Sequence, residues 1–189
     1  MSKFCPELNR RVLYTECLEC DTKSCKKVHP VDFIRRELYW DYLMELEIIK
    51  GEKWKESPEE MRGWCESFLT ENHYDWIDIE CNGIIVGFLI MAVEPDCHPD
   101  CDYFVCQSYV KPSYRHQGLM SEAVREYERI HSGTKYCMFI LNKNRYAYKF
   151  WHNLFKEMGY DEMDLRHVIE LKHGESQYGF RKSNHCLAE

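Results

Sequence analysis

No stretch of the 189-residue chain approaches the ~20 consecutive apolar residues that a membrane-spanning helix requires. The longest apolar run, Ile84 to Val93, has the length of a strand and contains Gly87. The opening residues Met-Ser-Lys-Phe-Cys-Pro lack the apolar region of a secretory leader. Internal repeats, low-complexity tracts and long linkers are missing too. The expectation is a soluble cytoplasmic protein with no membrane partner, built as one domain of ordinary size plus a small appendage. Basic charge is also in deficit: 25 Lys and Arg stand against 32 Asp and Glu, a formal net charge of −7. That balance weighs against a large nucleic-acid surface. It is compatible with a basic substrate such as an amine.

What is abundant is cysteine, with 11 residues. Without a secretory leader, metal ligands or buried thiols are expected ahead of a disulfide scaffold. Cys5, Cys17, Cys20 and Cys25 crowd into the first 25 residues. Their types and tight spacing suit a structural tetrahedral zinc, the Cys17-x-x-Cys20 pair being the strongest part, with His29 competing with Cys5 or Cys25 for the fourth place. A segment this short has no core, so a metal would supply much of its folding energy. Free thiols are the competing reading. Cys97-His98-x-x-Cys101 with Cys106 forms a weaker second metal candidate. The Cys-rich segment is assigned to residues 1–29, and the main domain to 30–189.

From Val31 to Ile49, Phe33, Ile34, Leu38, Tyr42, Leu43, Leu46 and Ile49 recur at helical spacing. Ser57-Pro58-Glu59-Glu60 has the form of a helix start with a capping box, and that helix runs to about Thr70. Strands are expected over 76–79 and 84–93, joined by the Asn82-Gly83 reversal, then over 103–110. A helix follows over 121–130, a strand over 136–141, a helix over 145–158 ended by Gly159, and strands over 166–172 and 178–181.

One segment carries the chemistry. A strand ending at Val110 runs into Arg115-His116-Gln117-Gly118-Leu119-Met120 and then a helix. Amides at such a turn lie at the positive end of the helix dipole and bind phosphate oxygens. Gly118 permits close approach of an anion, and Arg115 adds a positive charge. Taken alone, the hexapeptide also reads as a loop with a solvated Arg.

The segment Val110-x-Pro112-x-x-Arg115-x-x-Gly118-x-Met120 resembles motif A of the GNAT superfamily of N-acetyltransferases. There the same loop binds the pyrophosphate of acetyl-CoA. Asn144-x-x-Ala147-x-x-Phe150-Trp151, followed by Met158-Gly159-Tyr160, is similar to the family's second motif, whose helix flanks the pantetheine arm. The resemblance covers about residues 31–183. It implies an α/β (α+β) fold, with a mixed, mostly antiparallel twisted sheet flanked by helices. It also implies an acetyl-CoA-dependent N-acetyltransferase acting on a small-molecule or protein amine by direct transfer in a ternary complex. Cofactor contacts would fall on Ser108, Tyr109, Val110, Arg115, His116, Gln117, Gly118, Leu119, Met120, Ser121, Asn144, Ala147 and Trp151, with an amide at Val110 as the oxyanion donor.

Two positions depart from the family. Met120 stands where Gly or Ala is usual. Trp151, or Phe155 in a shifted alignment, stands where the family often has a proton-donating Tyr. Tyr148 is the substitute donor. Glu94, Asp102 and Gln107 are candidates for deprotonating the amine. Trp40, Tyr42, Trp54, Trp64 and Tyr178 suggest an aromatic acceptor cleft. Cys106 reads as a small buried hydrophobe before it reads as a nucleophile. A second reading is a non-catalytic CoA-binding or interaction module acting through the Cys-rich segment. A third is nucleic-acid binding through Arg10, Arg11, Lys23, Lys26 and Lys27, against which the net charge counts.

Overall fold

A computed structural model describes residues 2–5, 10–13, 30–93, 101–163 and 175–183, the first two segments by backbone alone. The chain divides into two compact units, Met1–Ile34 and Arg35–Glu189. In the first, β1 (Ser2–Cys5) and β2 (Arg10–Leu13) pair as an antiparallel hairpin. These strands carry no sequence signal, because four-residue alternation is too short to stand out.

Helix α1 spans Pro30–Lys50. Helix α2 spans Pro58–Thr70 and begins with the expected capping box: Glu60 N donates to Ser57 Oγ at 3.2 Å, and Ser57 N donates to Glu60 Oε2 at 2.7 Å. Strands β3 (Tyr74–Cys81) and β4 (Ile84–Val93) are joined by Asn82 and Gly83, with φ of 53° and 74°. This is the doubly positive turn that suits the twist of a hairpin. Then come β5 (Tyr103–Val110), a 3-10 turn at Pro112–Tyr114, α3 (Leu119–His131), β6 (Lys135–Leu141) and α4 (Arg145–Glu157). Strands β7 (Tyr160–Glu162) and β8 (Glu175–Lys182) complete the described residues.

The main sheet has the order β3-β4-β5-β6-β8-β7. Every neighbouring pair is antiparallel except β5 with β6. This matches the mixed, mostly antiparallel α/β sheet expected from the sequence. Strand β7 was not foreseen: three residues, two of them exposed charges, carry no readable alternation. The strand expected over 166–172 lies outside the described residues.

One face of the sheet packs on α3 and α4. Leu89, Met91, Val105, Tyr136, Met138 and Phe180 meet Val124, Tyr127, Trp151, Leu154 and Phe155 in one buried cluster. Phe155 is fully buried and stacks on Phe180 at 4.6 Å. On the other face Tyr39 and Tyr42 of α1 meet Phe88 of β4. Arg35 holds Asp78 of β3 through two bonds of 2.9 and 2.8 Å, and Arg36 likewise holds Glu66 of α2 at 2.6 and 2.8 Å.

Cys101 and Cys137 are joined as a disulfide beside the start of β5, with Cα atoms 6.1 Å apart. The cysteine count had favoured metal ligands or free thiols over such a bond. A cysteine count read through an assumed compartment says nothing about which thiols the fold brings together.

Gly87 sits opposite Val110 in the β4–β5 ladder. A Cβ there would overlap the Tyr109 carbonyl oxygen and press on Val110. Gly87→Ala is therefore expected to lower unfolding stability by about 1–3 kcal/mol, read as the urea midpoint. An unchanged midpoint would mean that β5 shifts aside without cost.

Candidate functional site

The site begins with a strand that leaves its neighbour. Strand β5 pairs with β4 along its whole length, but with β6 only over Tyr103–Val105 against Tyr136–Met138. The β4 register jumps from Ile90↔Gln107 to Met91↔Val105, so Cys106 is an extra residue in β5. Such a bulge bends its strand and increases the local twist. Beyond it, among the described residues, β5 and β6 share no ladder. A cavity of about 780 Å³ opens in the gap. Strand alternation gives it two sides. Ser108, Met138, Ile140, Asn144, Ala147 and Trp151 line the side of α4; Tyr42, Phe104, Phe139 and Glu175 belong to the side of α1.

The loop after β5 leads to α3. Lys111 N donates to Val86 O at 2.9 Å, and Arg115 N donates to Pro112 O at 3.3 Å. His116 and Gly118 then take φ of 61° and 80°. Gly118 is the N-cap and offers no side-chain cap; the first bond of α3 runs from Glu122 N to Gly118 O at 2.9 Å. The amides of Leu119, Met120 and Ser121 therefore have no intrahelical acceptor and lie at the positive end of the helix. A Cβ on Gly118 would meet nothing within 4 Å, so the space in front of it is open. Met120 turns its side chain into the core clusters, packed with the α3 face and the β3–β4 end. That is where the larger residue finds its room.

Arg115 is placed otherwise than expected. Its Nε donates to Val110 O at 2.7 Å, its second nitrogen bonds Glu45 of α1 at 2.5 Å, and its guanidinium lies over the Tyr109 ring at 5.6 Å. The charge fastens the end of β5 to α1. Sequence spacing could not show this, because Glu45 is 70 residues away.

On α4, Asn144 is the N-cap: its Oδ1 accepts from Ala147 N at 3.0 Å. Trp151 is buried against the cavity. Tyr148 is not among the cavity-lining residues. It packs on Tyr178 at 4.9 Å and His152 at 5.8 Å, and the nearby Glu162 carboxylate raises its phenol pKa. One helical turn from Trp151 carries it around the helix. Asp102 is a structural anchor: one carboxylate oxygen accepts from Thr134 N at 2.8 Å, Thr134 Oγ1 at 2.7 Å and Lys135 N at 3.0 Å. Burial works against its charge, but these bonds and the Lys135 charge outweigh it and hold the carboxyl below its ordinary pKa. Glu94 lies outside the described residues, as do Cys17, Cys20, Cys25, Cys97 and His98; Cys5 is described by its backbone only. Among the described residues no group of three or more His, Cys, Asp and Glu is arranged to hold a metal.

Of the five residues expected to make an aromatic cleft, Tyr42 lines the cavity. Trp54 and Trp64 pair with each other at 6.0 Å, and Tyr178 packs on Tyr148. The Tyr42 hydroxyl donates to Gln107 Oε1 of β5. Burial pushes the Tyr42 phenol well up, and the Glu175 carboxylate adds to the shift. Glu175 carries no sequence signal, since it stands at the start of a strand beside a glycine, as many solvated carboxylates do. Cys106 is half-buried on the cavity wall, its thiol toward Phe104 O at 3.7 Å.

Residues 35–160 match the model of the acetyltransferase (GNAT) family. Among solved structures, an acetyltransferase from Thermus thermophilus superposes with a TM-score of 0.58 at 12% identity, over 80% of this chain and 92% of that one. A GNAT-family acetyltransferase from Streptococcus agalactiae gives 0.56 at 13%, over 84% and 94%. A ribosomal-protein-alanine N-acetyltransferase from Brucella melitensis gives 0.55 at 15%, over 82% and 98%. No curated protein sequence matches the chain.

The Asp102 contacts set a pH test. A carboxyl with a lowered folded-state pKa stabilises the fold above its unfolded value, ~3.9, and loses that contribution as pH falls through the folded value. Asp102→Asn should melt below the wild type at pH 7, and the gap should narrow below about pH 4. Calorimetry across that range would show a constant gap if the charge plays no part.

Proposed function

The chain belongs to the acetyltransferase (GNAT) family, and on that basis we propose that it transfers the acetyl group of acetyl-CoA directly to a primary amine in a ternary complex. The observation that carries this reading is the parting of β5 from β6 next to the uncapped start of α3. The pyrophosphate sits on the amides from His116 to Ser121, where backbone donors and the helix dipole act together. The pantetheine arm lies along Ser108, Tyr109 and Val110, in the place that β6 vacates, with Asn144, Ala147 and Trp151 as its wall. Arg115 positions the loop through Val110 O and Glu45.

The thioester carbon then lies in the gap between the two sides of the cavity. The amine nitrogen attacks it from the α1 side. A β5 amide in the gap, at or near Val110, stabilises the oxyanion. Collapse breaks the C–S bond; the departing thiolate takes a proton from the donor, and the nitrogen gives up one of its own, which restores the donor. Tyr42 is the donor in this reading, in place of Tyr148: it lines the cavity, and its hydroxyl is held at β5 by Gln107.

Trp151 favours a second reading, a domain that binds CoA without turnover, because the wall of α4 offers no labile proton. Thiol release with a panel of amines separates the two. Two variants test the site. Gly118→Trp, forced to φ near 80° with its ring in the open space before the loop, should weaken acetyl-CoA at least a hundredfold, about 2.7 kcal/mol by calorimetry; unchanged affinity would remove the loop from the site. Tyr42→Phe should lower kcat about a hundredfold and leave acetyl-CoA affinity unchanged. A wild-type kcat would exclude Tyr42 as donor.

A further inference from the structure

An alkylamine is an ammonium ion near neutral pH, and its nitrogen cannot attack a thioester until a base has taken one proton. The three residues expected from the sequence to do this do not supply it. Asp102 is not among the cavity-lining residues, and one of its oxygens takes three bonds. Gln107 accepts from the Tyr42 hydroxyl. Glu94 lies outside the described residues.

His73 is the one imidazole among the described lining residues. It stands in the turn between α2 and β3, and that turn is pinned: Tyr74 N donates to Glu71 O at 3.2 Å, and Val93 N donates to His73 O at 3.3 Å. The ring lies 4.0 Å from the ring of Tyr74, and its Nε2 is 3.2 Å from Oε2 of Glu71. With the Nε2 hydrogen turned to the carboxylate, the neutral ring keeps Nδ1 free to take a proton. The side chain lines the cavity and is also 56% exposed, so it stands at the mouth, open to solvent. Glu71 and the Tyr74 phenol are the titratable groups beside it among the described residues. The lining residues of α2 and β4 nearby, Phe68, Ala92 and Val93, carry no charge.

The sheet leads from this mouth to the gap. Tyr74, Ala92, Phe104 and Cys137 are successive ladder partners and form one row on the α1 face. Two strand spacings, about 10 Å, separate Tyr74 from Phe104. Ala92 between them ends at its Cβ and leaves the space above it to the cavity. Phe104 belongs to the last such row before the fork, since β5 leaves β6 just past Val105.

Resting on the acetyl-transfer reading above, we propose that His73, oriented by Glu71, is the base of the reaction. The acceptor's ammonium group passes one proton to Nδ1, directly or through one water, and His73 releases it to solvent. The freed amine attacks the thioester. Its second proton restores the donor, so an ammonium ion and acetyl-CoA give the amide, the thiol and one proton.

The test uses 2-phenylethylamine, spermidine and a short peptide with a free N-terminus as acceptors for the full chain, read as thiol release, and follows the fastest across pH. In the wild type kcat/KM should level off once the imidazole is neutral. His73→Ala should cost about a hundredfold near pH 7. Its kcat/KM should go on rising toward the pKa of the amine itself, so that the gap closes at high pH. Added imidazole should restore the variant in proportion to its concentration and leave the wild type unchanged. Melting curves and acetyl-CoA calorimetry confirm that the variant is folded and loaded. A wild-type profile in His73→Ala, or a variant slow at every pH and unresponsive to imidazole, would overturn the assignment and leave acetyl transfer standing. The same holds if Glu175→Gln, at the Leu141 end of the cavity, loses the plateau while His73→Ala keeps it. Acetyl-CoA binding without thiol release to any of the three acceptors would overturn both.

Discussion

Beyond Val105 and Met138, β5 and β6 give up the hydrogen bonds that neighbouring strands would otherwise make. Backbone groups removed from water and left unbonded cost free energy, so a sheet does not open this way unless other contacts hold it open. Three features do so here. The extra residue Cys106 bends β5 away at the point of parting. Arg115 ties the far end of β5 to α1 through Val110 O and Glu45. At the closed end, the Cys101–Cys137 bond and the three bonds to Asp102 fix the start of β5 against the start of β6. The result is a fork with a fastened base and a held-back arm. An extended ligand with amides of its own can complete the broken ladder, and in the proposed function the pantetheine arm does this.

The same fork explains which parts of the molecule were legible in the sequence. Features written within a few residues were readable. The Ser57–Glu60 capping box, the Asn82-Gly83 reversal, the apolar period of α1 and the turn at Gly118 all depend on neighbours in the chain. Three expectations fall on residues whose partners lie far along the chain, and spacing carries no sign of those partners. Arg115 meets Glu45 of α1. One oxygen of Asp102 takes three bonds from Thr134 and Lys135. Tyr148 lay one turn from Trp151, but one turn on a helix also involves a rotation, and Tyr178 and Glu162 receive it. Glu175 went unremarked for the opposite reason: alone in the sequence it is an ordinary surface carboxylate, and only its ladder position beside Leu141 brings it to the cavity.

Helix α1 joins the two halves of the site. Tyr42 and Glu45 are three residues apart, so they share a face of the helix. Tyr42 bonds Gln107, just past the bulge of β5, and Glu45 bonds Arg115, just past the end of that strand. One rigid element thus grips β5 at both ends of the stretch that lacks β6 as a neighbour. Both grips are side-chain contacts to a helix that Arg35 in turn fixes on β3. A displacement of α1 would therefore move the Tyr42 hydroxyl and the loop before α3 together. The two sides of the cavity are mechanically one site, although the chain builds them from segments separated by more than a hundred residues, from Tyr42 to Trp151 and Glu175.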